Sequence, residues 1–340
     1  MLRRTSHMRG DTWSLHCSAC GKCCNCAPAF SLPELFYHQN RFIGCLGIRR
    51  MKRPRPGDFL GHGDAMVAAN DADCAAFEEI ARAYLHSVPG PGESDYDILL
   101  ATQGFDTPGL DRCAALGYDG RCTIHANRKP VGCRAVPLDP LVPDRLQHLV
   151  LAERQIDADF SGAGCIQHGT NSNSLPLIRN SVVVDKEAKS ALAERRRNLL
   201  QDKRFWGNAV FQLLEPELFS QPASMARIPT EGFMIMSLAP VLIAIAEVSE
   251  RCRLRCVEYL ESQLALSDHV LRASSLDATD ETSSAQLRAF TRTNMALWNS
   301  MQTGRVFGVH ETRSTEQTAA TEAWLELTPV ATRSALAASG

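Results

Sequence analysis

The sequence predicts a mainly α protein with minor β, divided into an irregular cysteine-rich domain, a helical domain and a short terminal segment. Three observations carry this. All but Cys252 and Cys256 of the 13 cysteines fall at or before Cys165, in a stretch also rich in glycine and proline. Beyond residue 181, apolar side chains recur at helical intervals (Leu192, Leu199, Leu200, Val210, Leu213, Leu214). The final thirty or so residues are dominated by Thr, Ala, Ser and Glu. The expected boundaries are 11–180 for a cysteine-cluster, metal-binding domain and 181–308 for the helical domain. A short helix and flexible tail are expected over 309–340.

The elements follow in order. Ser31-Leu-Pro-Glu34 has the form of a capping box with proline in the first turn, predicting a helix from Leu32 to about Arg41. Arg49 to Arg55 holds five basic residues in seven and reads as a solvated insertion loop, the sharper alternative being a docking strip for an acidic partner or nucleic acid. A second helix is expected over Ala72–His86. Tyr118-Asp119-Gly120 reads as a turn between two short strands, which would bring Cys113 and Cys122 together. Helices are then expected over Asp185–Phe219, Met234–Leu266 and Ser284–Met301.

At 340 residues, 44% hydrophobic and 22% charged, the chain is long enough for a sizeable core. A net charge of -2 gives no general attraction to nucleic acid or to anionic membranes. The basic N-terminus, Met1 to Gly10, is followed by no apolar signal region. The longest apolar run, Met234 to Val248, is interrupted by Ser237 and Pro240 and is short for a bilayer span. A cytoplasmic location is therefore expected, where thiols stay reduced and clustered cysteines bind metal more often than they form disulfides.

Cys17-Ser-Ala-Cys20-Gly-Lys-Cys23-Cys24 is the first cysteine block. Two residues between thiolates allow a tight turn to put both sulfurs on one metal or cluster, and Gly21 suits a wrapping loop. Lys22 adds positive charge, which favours thiolates. Cys17, Cys20 and Cys23 reproduce the C-x2-C-x2-C run of bacterial ferredoxins, but the fourth position is Ala27, so the chain is not a ferredoxin. Neighbouring side chains in extended backbone point to opposite faces. Cys23 and Cys24 therefore either divide between two sites, or one binds while the other is buried or redox-active. The second block is Cys113, Cys122 and Cys133, with Cys165 following in a glycine-rich segment. Arg134 is a candidate hydrogen-bond donor to cluster sulfur or a bound anion. His62, Asp64, His125 and His168 are lesser ligand or outer-sphere candidates. Cys45, Cys74, Cys252 and Cys256 read as buried thiols.

The arrangement C-x2-C-G-x-C-C, then C-x8-C-x-I-H-x3-K-P-x2-C-R, then a glycine-flanked late cysteine resembles the YkgJ-like CxxCxxCC proteins, a zinc- or iron-chelating cysteine-cluster family. The resemblance covers Cys17 to about Gly169. It implies that Cys17, Cys20, Cys23, Cys24, Cys113, Cys122, Cys133 and Cys165 are the metal-site cysteines. Lys129 stands where the family usually has Arg, His125 where Tyr is commoner, and Cys165-Ile-Gln where Cys-Pro-Gly is usual. A faint similarity to flagellin lysine-N-methylases rests on the helical stretch Glu194 to Asp202. It implies a protein-modifying enzyme acting on a protein or peptide substrate, although the first cysteine block differs from theirs. The expected cofactor is iron–sulfur, one or two 4Fe-4S clusters, with zinc as the alternative. The competing function is a non-catalytic structural, electron-transfer or redox-sensing protein.

Overall fold

The computed structural model describes residues 12–17, 20–22, 24–61, 65–88, 96–169, 175–274, 281–303 and 314–327. The strands are β1 Thr12–Leu15, β2 Gly44–Lys52, β3 Phe59–Leu60, β4 Val67–Ala68, β5 His86–Ser87, β6 Tyr96–Gly104, β7 Ile166–His168, β8 Leu175–Arg179, β9 Val182–Val183 and β10 Met234–Ser237. The α-helices are α1 Leu32–Tyr37, α2 Asp71–Tyr84, α3 Val131–Ala135, α4 Gln147–Phe160, α5 Lys186–Asp202 and α6 Asn208–Leu214. They continue with α7 Pro222–Arg227, α8 Ala239–Ala246, α9 Glu250–Ser274, α10 Glu281–Thr303 and α11 Thr315–Trp324.

Two four-stranded sheets, ordered β7-β1-β8-β9 and β10-β2-β6-β5, and a small β3-β4 pair correct the mainly α expectation to a mixed α/β fold. β6 and the first half of β2 give no alternating pattern because they are buried on both faces. Ile98 to Ala101 are all buried, so β6 shows an apolar run and not the alternation of a half-exposed strand. Alternation instead selects the partner on each face: Ile98 and Leu100 join the core of α8 and α9, whereas Leu99 and Ala101 join Leu85, Leu141 and Leu199.

The basic segment is corrected too. Arg49 to Lys52 belong to β2, paired residue by residue with Leu99 to Tyr96. Arg53 places two guanidinium nitrogens on the buried Asp97 carboxylate at 2.6 Å each, and the Arg50 guanidinium lies 4.8 Å from the Tyr96 ring centroid. These internal partners make Arg49 to Lys52 part of a strand, with Arg53 held just beyond it, and not a solvated loop.

Met234–Ser237 pairs antiparallel with Ile48–Cys45, so the helix expected over Met234–Leu266 is a strand followed by α8 and α9. Pro240 sits in the first turn of α8, where its missing N–H is harmless. This strand also carries the β2 sheet across the expected boundary at 180/181. The largest core likewise joins Phe30, Leu46 and Ile98 to Val241, Cys256 and Leu260. Cys45, Cys252 and Cys256 are fully buried, whereas Cys74 is only partly covered. Most of the expected terminal tail lies outside the described residues, α11 being its placed portion.

Candidate metal centre

Strand register brings the two most distant cysteines of the predicted set together. β1 pairs antiparallel with β7 through Trp13↔His168, Ser14↔Gln167 and Leu15↔Ile166. The next residues remain in step, since the His16 N–H donates to the Cys165 carbonyl at 2.9 Å. Cys17 and Cys165 are thereby delivered to the same end of one sheet. That sheet is anchored below by Trp13, Ile166 and Ile178 against Leu151 of α4 and Leu192 of α5.

The second block is built on a tight reversal. Gly120 takes the left-handed backbone (φ 77) that the turn requires, and a bridge pairs Leu116 with Cys122. The Thr123 N–H donates to the Ala115 carbonyl at 2.8 Å, and the Ala115 N–H points at Cys113 Sγ, 3.4 Å away. The expected turn between strands is thus a turn closed by a single bridge. Cys133 arrives on α3. One Glu34 carboxylate oxygen accepts from the Ser31 N–H at 2.8 Å, and the other accepts from the Val131 N–H at 2.7 Å. A single side chain thereby closes the first turn of α1 and ties down the helix that carries Cys133.

Burial pushes the Cys133 thiol up to about 12, with the neighbouring Cys113 and Cys122 adding to the rise and Lys129 opposing it. Cys113 is raised as well, first by burial, while the Ala115 N–H lowers it and Cys122 raises it. Cys113 and Cys122 therefore lie near enough to Cys133 for a charge on either to raise it further.

Two contacts dock the first block onto this frame, and a third reaches toward Cys165. The Cys113 N–H donates to the Cys24 carbonyl at 2.8 Å. Gly21 (φ 73) lies so close to Leu116 and the Gly120 carbonyl that an added Cβ would sit 3.0 and 3.2 Å from them. Lys22 Nζ donates to the Gly162 carbonyl at 2.9 Å. Lys22 therefore bridges to the segment before Cys165. Arg134 instead pairs with Glu194 of α5 at 2.7 Å.

Cys17 and Cys20 are exposed, and Cys24, Cys113, Cys122, Cys133 and Cys165 are partly buried. Cys23, His62 and Asp64 lie outside the described residues. His125 is exposed, touching the site through its N–H on the Cys122 carbonyl at 3.2 Å. The His168 ring stands edge-on to Trp13 at 5.2 Å. Among the described residues, no three His, Cys, Asp or Glu side chains converge on one ion position. What the fold gathers is a set of thiol-bearing segments.

Sequence reasoning missed Glu34 and Gly132 as supports. Glu34 was visible only as a capping residue. A Cβ on Gly132 would lie 2.5 Å from the Ala29 carbonyl oxygen, so α3 packs backbone to backbone against the chain leaving the first block. Gly132→Ala is therefore expected to destabilise the protein by about 1–3 kcal/mol and to move Cys133 away from Cys113. Chemical unfolding together with metal content per chain checks both effects.

Compared with known proteins, the chain matches no family model, no curated protein and no solved structure. No helix among the described residues is long and apolar enough to cross a membrane. Two surface clefts, one lined by Arg204, Phe205 and Gln317 and the other by Glu79, Tyr84 and Arg196, include no cysteine.

Proposed function

We propose that the chain is a cysteine-ligated metal protein that binds iron–sulfur, through Cys17, Cys20, Cys23, Cys24, Cys113, Cys122, Cys133 and Cys165. The observation that supports this reading is the long-range gathering of thiols. His16 to Cys165 and Cys24 to Cys113 are backbone contacts between segments far apart in sequence, and both fall beside cysteines. The donor set fits the group in kind, since thiolate sulfur is the ligand that such clusters take. A bound cluster would supply electron transfer or an open iron for a substrate. The chain's own part is to hold the loops: Lys22 on Gly162, Glu34 on Val131, and Gly21 against the reversal.

Anaerobic purification followed by iron, zinc and acid-labile sulfide analysis, with a visible spectrum, tests the proposal. Iron and sulfide in matching amounts, with sulfur-to-iron absorption, are expected. Colourless protein holding only zinc would overturn the iron–sulfur assignment, and protein that takes up neither metal would overturn the metal reading altogether. Reversible reduction of the loaded protein without unfolding is the result expected of a redox role. A cluster that cannot be reduced without loss of the fold would instead be a structural staple.

A further inference from the structure

Resting on that reading, we propose that the cysteines form two separate sites: one from Cys17, Cys20 and Cys165 at the end of the β1–β7 pair, the other from Cys24, Cys113, Cys122 and Cys133 around the reversal and α3. Each group has its own backbone link. Cys165 is tied to the residue before Cys17, and Cys24 is tied to Cys113, both through N–H···O=C bonds. Each group also rests on its own core. Cys165 packs on the cluster containing Trp13, Ile166 and Ile178. Cys113 and Cys122 pack on the cluster that contains Phe30, Leu242 and Cys256. Cys20 joins Cys17 by the two-residue spacing that puts both sulfurs on one metal.

The chain between Cys20 and Cys24 is the seam. Gly21 turns through a left-handed conformation against Leu116 and Gly120, while the Lys22 side chain reaches back to Gly162 on the other side. Cys23 lies outside the described residues, and neither group is built on it. The first group is the more open to solvent, since Cys17 and Cys20 are exposed and Cys113, Cys122 and Cys133 are partly buried. Metal at the first site should therefore leave first, giving two-phase loss to a chelator.

Two readouts test the division. The first needs no metal and no substitution: chelator-stripped full-length chain is oxidised with diamide, which takes up the two electrons and two protons released as each disulfide forms. Mass spectrometry then maps the pairs. Pairs within each group are expected, Cys17 with Cys165 or Cys20 and Cys113 with Cys122 or Cys133. Predominant pairs between groups, such as Cys17 with Cys133, would overturn the division. In the second, metal per chain is measured for loaded variants. Cys122→Ser and Cys165→Ser should each keep part of the wild-type metal. Their combination should keep none, and Cys122→Ser with Cys133→Ser should lose no more than Cys122→Ser alone. If either single substitution already removes all metal, there is one site. Wild-type protein that binds no metal would defeat the metal reading itself, and the disulfide map would still decide the grouping.

Discussion

Gly44→Ala is expected to destabilise the fold by about 3 kcal/mol or more, because overpacking at this position has nowhere to relax. A Cβ there would fall inside the van der Waals shell of Tyr259 Oη and 2.7 Å from Leu35 Cδ2. Both obstacles are buried, Tyr259 at 1% and Leu35 at 0% exposure. The backbone is pinned as well. The Gly44 N–H donates to Gln263 Oε1 at 2.7 Å, and Gln263 Nε2 donates to the Gln39 and Phe42 carbonyls at 2.7 and 3.1 Å. Gly44 opens β2, so the clash lies where the central sheet meets α9. Tyr259→Phe removes the struck oxygen and should return part of the lost stability in the double variant. Denaturant unfolding of the two single variants and the double checks this, and an unchanged midpoint for Gly44→Ala would refute it.

Features set by a few neighbouring residues were legible in the sequence. Ser31 and Glu34 announce the start of α1, although the helix ends at Tyr37, short of the expected Arg41. The second helix runs Asp71–Tyr84, one residue earlier at its start and two at its end than expected. Asp185 caps α5 through the Ala188 N–H at 2.7 Å, where the periodic stretch was expected to begin.

What stayed hidden depends on partners distant in the chain. Nothing in Thr12 to Leu15 says that it pairs with Ile166 to His168, and strand pairing over such a separation leaves no local pattern. Met234 to Ser237 is apolar enough for either helix or strand, and the free edge of β2 decides between them. The candidate site divides in the same way. Spacing nominated the cysteines of each block, but the backbone links between blocks, and the double duty of Glu34, exist only once the sheets form.

The second large effect concerns two buried ionisable groups whose pH dependences oppose each other. Asp202 is 2% exposed, and its Oδ1 accepts from the Leu32 N–H at 3.3 Å and from Trp206 Nε1 at 2.9 Å. Burial pushes it from 3.8 up to about 7, with Glu34 adding to the rise and Trp206, Arg195 and the Leu32 N–H opposing it. The folded state thus holds this proton more tightly than the unfolded chain. Its contribution, about 4 kcal/mol, is complete at low pH and is lost as pH rises through about 7. His86 is 6% exposed and stacks on Phe211 with ring centroids 4.9 Å apart. Burial first, then Lys203, brings it from 6.5 down to about 4, against Asp97. Its contribution, about 3 kcal/mol, is present above the ordinary histidine value and is lost as pH falls through about 4. Between these limits the two slopes nearly cancel in the natural chain. Asp202→Asn should unmask the histidine, so that stability rises with pH across the interval. His86→Gln should unmask the aspartate, so that stability falls. Denaturant midpoints measured at several pH values across that interval decide it. If Asp202→Asn keeps the wild-type profile, the buried carboxyl is not the group that resists ionisation.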